Sequence, residues 1–507
     1  MIIKIIALVC FFALMIGVGI YSKKKVSNAN DFVLGGRSVG PWVTAFSYGT
    51  SYFSAVVFIG YAGQFGWRFG IASTWIGLAN AFIGSLLAWR LLGRRTRVMS
   101  NYLKASTMPE FFGKRFNSSA IRIAASLITF IFLIPYTASV YNGLSRLFGM
   151  AFDIPYEACV IGMAVLTGVY VVLGGYMASS ITDFIQGIIM LFGIVAVIVS
   201  VLNGHGGFTE AMRSLANVTD PAYDTPGIFA SFFGTDLGSL IGVVILTSLG
   251  TMGLPQMVHK FYAIKDERSI KTGTIVSTFF ALIIAGGSYF LGGFGRLMSG
   301  DPAIYAADGS VVYDTIIPQM LAPLGDLVIG IVVVLVLSAS MSTLSSLVLT
   351  SSSTLTLDLI KPVFAKKMDN KKQLLTMRAF IVFFIALSII IAMNKNTFIA
   401  QLMGYSWGAL AGSFLGPFLY SLYSKKITRA SVWASFAVGV GITVTNMIFG
   451  YIASPINAGA IAMVLSLIVV PLVSFITPKM PKAETDSIFD CFYETVTVSK
   501  KRSLDEN

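Results

Sequence analysis

The residues with the most chemistry per turn lie in Leu337-Ser338-Ala339-Ser340-Met341-Ser342-Thr343-Leu344-Ser345-Ser346, inside a long apolar run. At helical spacing Ser338, Ser342, Ser345 and Ser346 share one face, with Thr343 beside them. Any one of these hydroxyls needs no function, because Ser and Thr let helices pack closely or bond back to the preceding turn. Five together fit a second role. A hard cation such as sodium takes oxygen ligands, and hydroxyls with freed backbone carbonyls supply them while burying little protein charge. Asp183, in Ser180-Ile181-Thr182-Asp183-Phe184-Ile185-Gln186, reads in two ways. It is an interfacial carboxylate in water, or a buried acid paired with a cation on those hydroxyls, since an unpaired acid in a bundle is expensive.

Two more polar stripes accompany these residues. Ser47, Thr50, Ser51 and Ser54 fall on one helical face with Tyr52 close by, and Tyr136, Thr137, Tyr141 and Asn142 form an aromatic and polar stripe elsewhere. Core packing accounts for each tyrosine singly; as a set they line a pocket of modest polarity. Trp75, Trp89 and Trp407 suit interfacial belts as well as they suit a pocket, so they do not bear on the site. His205 and His259 have no second His or Cys at ligand spacing, which leaves zinc without a ligand set. The sequence holds no phosphate-cradling Gly-rich loop with its Lys, no nucleophile elbow and no metalloprotease motif. No catalytic residue and no organic cofactor are expected, and the chain is read as not an enzyme.

The elements that position these residues follow from composition. The 507 residues are 55% apolar and 12% charged, with a mean hydropathy of +0.79, so the implied solvent is lipid. Helices satisfy their own backbone groups there, and the apolar runs exceed the ~10 residues of a barrel strand. An all-α integral membrane bundle of about 13 transmembrane helices is expected. The first run, Ile3 to Tyr21, lacks a small-residue cleavage site and carries its lysines after the apolar stretch, so it reads as a retained helix. The net charge of +13 does not call for nucleic acid. With the amino terminus outside, most Lys and Arg, including Lys23 to Lys25, Arg94, Arg95, Arg97, Lys366, Lys367, Lys371, Lys372, Lys425 and Lys426, fall on the cytoplasmic side. A plasma (inner) membrane location with a cytoplasmic carboxyl terminus follows.

Two helices read as interrupted. The second, Pro41 to Gly66, carries Gly49, Thr50, Ser51, Ser54 and Gly60; the seventh, Leu237 to Val258, carries Thr247, Ser248, Gly250, Thr251 and Gly253, with Pro255. Freed carbonyls at membrane depth are tolerated only where they line a cavity or bind something. The two helices sit five apart, and paired broken helices at matching places point to inverted repeats around a midplane site. The expected division is 1-40 for the first helix and a cytoplasmic loop, 41-202 for a first five-helix repeat and 203-236 for an outer loop. Then come 237-424 for a second repeat, 425-476 for two more helices and 477-507 for a cytoplasmic tail.

On these residues the chain resembles the sodium:solute symporter family. The motifs are Asp31-Phe32-Val33-Leu34-Gly35-Gly36-Arg37-Ser38, then Gly174-Gly175 with Thr182-Asp183 and Gln186, then Met341-Ser342-Thr343-Leu344-Ser345. The resemblance implies a leucine-transporter-like 5+5 inverted-repeat core with substrate between the broken helices, near Ser51, Tyr52, Ser54, Ala55, Tyr136, Thr247 and Thr251. It implies a sodium site from carbonyls of Thr50, Phe53 and Ala339 and hydroxyls of Ser342 and Thr343. It also implies a second sodium site from Asp183, Ser342, Ser345 and Ser346. The activity implied is sodium-driven uptake of a small carboxylate, vitamin acid or amino acid by a monomer in a lipid bilayer.

The sequence departs from some family members. Proline carriers place an acid where Tyr52 stands and a tryptophan where Thr247 stands, and sialic-acid carriers place an arginine in the stretch occupied here by Ile134-Pro135-Tyr136-Thr137-Ala138. Tyr52-Phe53-Ser54-Ala55 looks more like pantothenate-type members. Two other readings stay open: a proton-coupled permease of the same fold working through Asp183, and a solute-sensing receptor without net transport.

Overall fold

Length forces the chain to bend where its apolar runs outgrow a bilayer. The run Val56–Tyr102 has 47 residues and the helix Tyr156–Gly204 has 49. At ~1.5 Å per residue each would extend to about 70 Å, more than twice the ~30 Å of hydrocarbon. Both fold back at a glycine held where side chains clash: Gly70 at φ +60° and Gly175 at φ 56°, ψ −153°. The second lies in the Gly174-Gly175 motif.

The computed structural model describes residues 2–23, 29–37, 39–394 and 398–502. Lys24, Lys25 and Ser38, which contribute to the charge bias and to the first family motif, lie outside the described residues. Among the described residues nine helical spans are long and apolar enough to cross a membrane, and Ile2–Val18 and Tyr156–Val169 are shorter apolar helices. The expected outer loop 203-236 carries the short helix Phe208–Ala216, a second short helix, Tyr313–Leu321, precedes the helix Asp326–Thr354, and the tail forms a helix, Lys482–Arg502.

Both expected interruptions are present. The helix Pro41–Tyr52 stops at Phe53, whose backbone is extended (φ −103°, ψ 125°), and the chain re-enters a wide-turned helix at Val56–Tyr61. In the other, Pro255 has no N–H to give to a preceding turn and clashes with an α-helical residue before it. Leu254 is accordingly extended (φ −83°, ψ 123°), and Pro255 opens the separate half-helix Pro255–Tyr262.

The helix Asp326–Thr354 runs through the middle of the bundle, and every residue from Val332 to Thr354 apart from Val334 is buried or nearly so. One end of the bundle is tied by arginines that donate to carbonyls in the last turn of helices. Arg37 reaches Tyr262 O (2.8 Å), Arg95 reaches Leu422 O (2.8 Å) and Arg115 reaches Ser421 O (3.3 Å). Positive charge there complements the negative ends of the helix dipoles. Small residues set the closest approach elsewhere: a Cβ on Gly66 would lie 1.8 Å from the Gly292 carbonyl oxygen. For Trp89 and Trp407 the structure removes the belt reading. Both are fully buried among helices, whereas Trp75 is exposed.

Candidate functional site

The break at Phe53 leaves the last carbonyls of Pro41–Tyr52 without the N–H donors of a following turn. Helix Asp326–Thr354 presents Ser342 and Thr343 to them. The Ser342 hydroxyl lies 3.0 Å from Thr50 O and 2.9 Å from Ala339 O. The Thr343 hydroxyl lies 3.1 Å from Ala339 O, 3.3 Å from both Ser51 O and Phe53 O, and 3.4 Å from Thr50 O. Four carbonyl oxygens therefore converge on two hydroxyls, each of which has a single hydrogen to donate. Such an excess of acceptors around a common point is what a hard cation neutralises. All five expected ligands, Thr50, Phe53, Ala339, Ser342 and Thr343, are in this cluster, and the Ser51 carbonyl joins them.

The residues expected around a second ion are arranged differently. Asp183 is fully buried, which removes the interfacial reading. Its Oδ2 accepts from the Ser47 hydroxyl at 2.5 Å and faces the Lys260 ammonium at 3.4 Å. Lys260 also donates to Ser47 Oγ at 2.8 Å. Ser345 and Ser346 turn elsewhere: Ser345 Oγ pairs with Ser179 Oγ at 2.8 Å and Ser346 Oγ with Ser51 Oγ at 2.9 Å.

Of the expected substrate residues, Tyr52, Tyr136 and Thr247 come together. The Tyr52 hydroxyl donates to Thr247 O at 2.6 Å, bridging the two broken helices, and the rings of Tyr52 and Tyr136 each lie 5.8 Å from that of Trp407. Ser54 and Ala55 start the second half-helix, where Ser54 Oγ accepts from Val56 N and Ser340 Oγ from Ala55 N. Ser51 faces Ser346 instead, and Thr251 donates to Gly84 O (3.0 Å) or Ser248 O (2.9 Å), so its hydroxyl serves packing.

Sequence reasoning passed over Lys260, Ser340 and Trp407. Lys260 sits two residues beyond the expected end of its helix, a place where a charge is ordinarily interfacial; in the structure it is 1% exposed. A basic residue so close to an apolar run was the available signal, because intramembrane ionisable groups are functional by default.

Residues 32–439 match the sodium:solute symporter family. The chain belongs to that family. The osmoregulated proline transporter OpuE of Bacillus subtilis is 30% identical over 484 residues, covering 94% of this chain and 96% of that one. The sodium/proline symporter of Escherichia coli is 29% identical over 443 residues, covering 86% of each chain. Among solved structures, a substrate-bound, outward-open Na+-coupled sialic acid symporter superposes with a TM-score of 0.72 at 18% identity, covering 95% of this chain and 99% of that one. The nucleobase-cation-symport-1 transporter Mhp1, in a closed conformation, gives 0.52 at 15% identity, covering 92% and 99%. The all-α, leucine-transporter-like architecture is thus the fold of this family member. It is a multi-pass membrane transporter, not an enzyme, and its family couples solute uptake to sodium.

Proposed function

We propose that the chain imports a small carboxylate across the plasma membrane by coupling it to sodium, with its amino terminus outside and its carboxyl terminus in the cytoplasm. The single observation that supports the coupling most strongly is the convergence of four backbone carbonyls on the Ser342 and Thr343 hydroxyls at the Phe53 break. A sodium ion there would hold helix Pro41–Tyr52 to helix Asp326–Thr354, and so would favour whichever arrangement of the two proposed repeats, 41-202 and 237-424, keeps them together. The arginines gathered at one end of the bundle support the orientation.

The solute class rests on donors. Among the described residues, the Tyr61 hydroxyl and the Trp407 Nε1–H are buried without hydrogen-bond partners, and the Trp407 ring lies 5.8 Å from those of both Tyr52 and Tyr136. Donors beside three aromatic rings suit an acceptor-rich head on an apolar body, as in a monocarboxylate, a vitamin acid or an amino acid. Proline, named for the relatives, is in this class, although Tyr52 and Thr247 replace the residues that proline carriers use. Each sodium ion moving inward gains ~2.3 kcal/mol per 100 mV, and about 1.4 more per tenfold gradient. One ion could then sustain a solute gradient of several hundredfold.

The test is a thermal-shift panel of carboxylates in sodium chloride and in choline chloride, followed by uptake into proteoliposomes. A carboxylate should stabilise the protein more in sodium and accumulate only with a sodium gradient. Equal accumulation in choline sinks the coupling, and binding without accumulation makes the chain a receptor.

A further inference from the structure

The Asp183 carboxylate is enclosed between helices, and its charge is already balanced by a side chain. The Lys260 ammonium is 3.4 Å from Oδ2, 2.8 Å from Ser47 Oγ and 5.2 Å from the centre of the Tyr176 ring, which adds a cation–π contact. The cleft there, lined by Tyr176, Ser179, Gln256, His259, Lys260 and Ser346, has no room for a water molecule. Building on the sodium-coupled reading above, we propose that the Lys260 ammonium occupies the cation position beside Asp183 as a tethered charge, so that the chain binds one sodium ion, at the Thr343 cluster, and not two.

The argument is one of charge and space. A buried carboxylate needs one cation, and Asp183 with Lys260 is neutral; a sodium ion added to the pair leaves an uncompensated buried charge. At about 5 Å and an effective dielectric constant of ~20, ammonium–sodium repulsion alone weakens ion binding by about two powers of ten. The Ser345 and Ser346 hydroxyls, which a second ion would recruit, are engaged with Ser179 and Ser51. Among the described residues Asp183 Oδ1 is buried and has no hydrogen-bond partner, so one carboxylate oxygen lacks a donor. That oxygen is the ligand a second sodium ion would take once the ammonium is gone. Lysine suits a removable plug, because its ammonium is a point charge on a flexible stem.

Equilibrium binding of radioactive sodium to the purified full chain, with choline as the replacement cation, counts the ions directly. Wild type should bind one per chain, Lys260→Met two, and the neutral double variant Lys260→Met/Asp183→Asn one. Two ions on wild type, or one on a folded Lys260→Met protein, overturns the proposal. The wild-type count requires no variant to fold, and the double variant removes both charges together, which a buried pair tolerates far better than loss of one partner. A purely structural ion pair would leave the count unchanged in Lys260→Met. No sodium on wild type refutes the sodium-coupled reading itself, and the proposal with it.

Discussion

Removing the Thr343 hydroxyl separates an ion site from a packing contact. Its Oγ1 lies within 3.1 to 3.4 Å of the carbonyls of Ala339, Ser51, Phe53 and Thr50. With no ion bound, the hydroxyl makes one ordinary hydrogen bond, worth about 1 kcal/mol net. With sodium bound it becomes a ligand to a full charge, where a comparable contact is worth ~1.5–3 kcal/mol. Thr343→Val keeps the shape and deletes the oxygen. It should therefore raise the sodium concentration for half-maximal stabilisation by about 10- to 100-fold and cost only about 1 kcal/mol in choline. Thr343→Ser, which retains the oxygen, should stay within a few-fold of the parent. The assay is thermal unfolding titrated with sodium chloride at constant ionic strength, since a ligand of the native state stabilises it by RT ln(1 + [L]/Kd). A parental sodium midpoint in Thr343→Val refutes the site. Equal destabilisation in sodium and in choline would show that the hydroxyl only packs.

Three further outcomes test the framework around the site. Gly66→Ala should lower the melting temperature sharply, because its Cβ would sit 1.8 Å from the Gly292 carbonyl and overpacking of this kind costs ~1–3 kcal/mol; an unchanged melting temperature would show that the two helices can part freely. Arg122→Met strips the 2.7 Å partner from Asp358, which is fully buried and also accepts from Thr107 at 2.5 Å. A loss of about 3–5 kcal/mol is expected, largely restored by adding Asp358→Asn, and failure of that restoration would place the cost elsewhere. Asp314, in the connecting helix Tyr313–Leu321, is buried, and burial lifts its carboxyl from 3.8 to about 6, only partly opposed by the Ile399 N–H and by Arg146. A raised carboxyl favours the protonated folded state, so its contribution is full below pH 3.8 and is lost as the pH rises through about 6. Asp314→Asn should therefore gain stability over the parent between those pH values and hold a constant gap above them. A pH-independent gap would refute the burial argument.

Much of this was legible one residue at a time, where local chemistry leaves few options. Pro255 dictates an extended Leu254 and a new helix start whatever surrounds it. Gly174-Gly175 stood in the sequence only as part of a family motif; the structure shows the chain turning there at φ 56° with ψ −153°, which only glycine adopts at low cost. The spacing of Ser338, Ser342, Ser345 and Ser346 gave one helical face correctly, yet Ser342 meets the Thr50 carbonyl while Ser345 and Ser346 meet Ser179 and Ser51. Periodicity names a face; it does not say which neighbour each residue on that face will touch.

Sequence alone determined the solvent, the helical class and the two breaks. Hydropathy is a sum over residues, and helix termination is decided within a turn of the chain. Tertiary structure decided that Trp407 lies beside Tyr52 and Tyr136, that four carbonyls converge on two hydroxyls, and that Lys260 is enclosed beside Asp183. Lys260 and Asp183 stand 77 positions apart, and their pairing exists only because two helices from different parts of the chain exclude water from both. No local property of either residue encodes that exclusion.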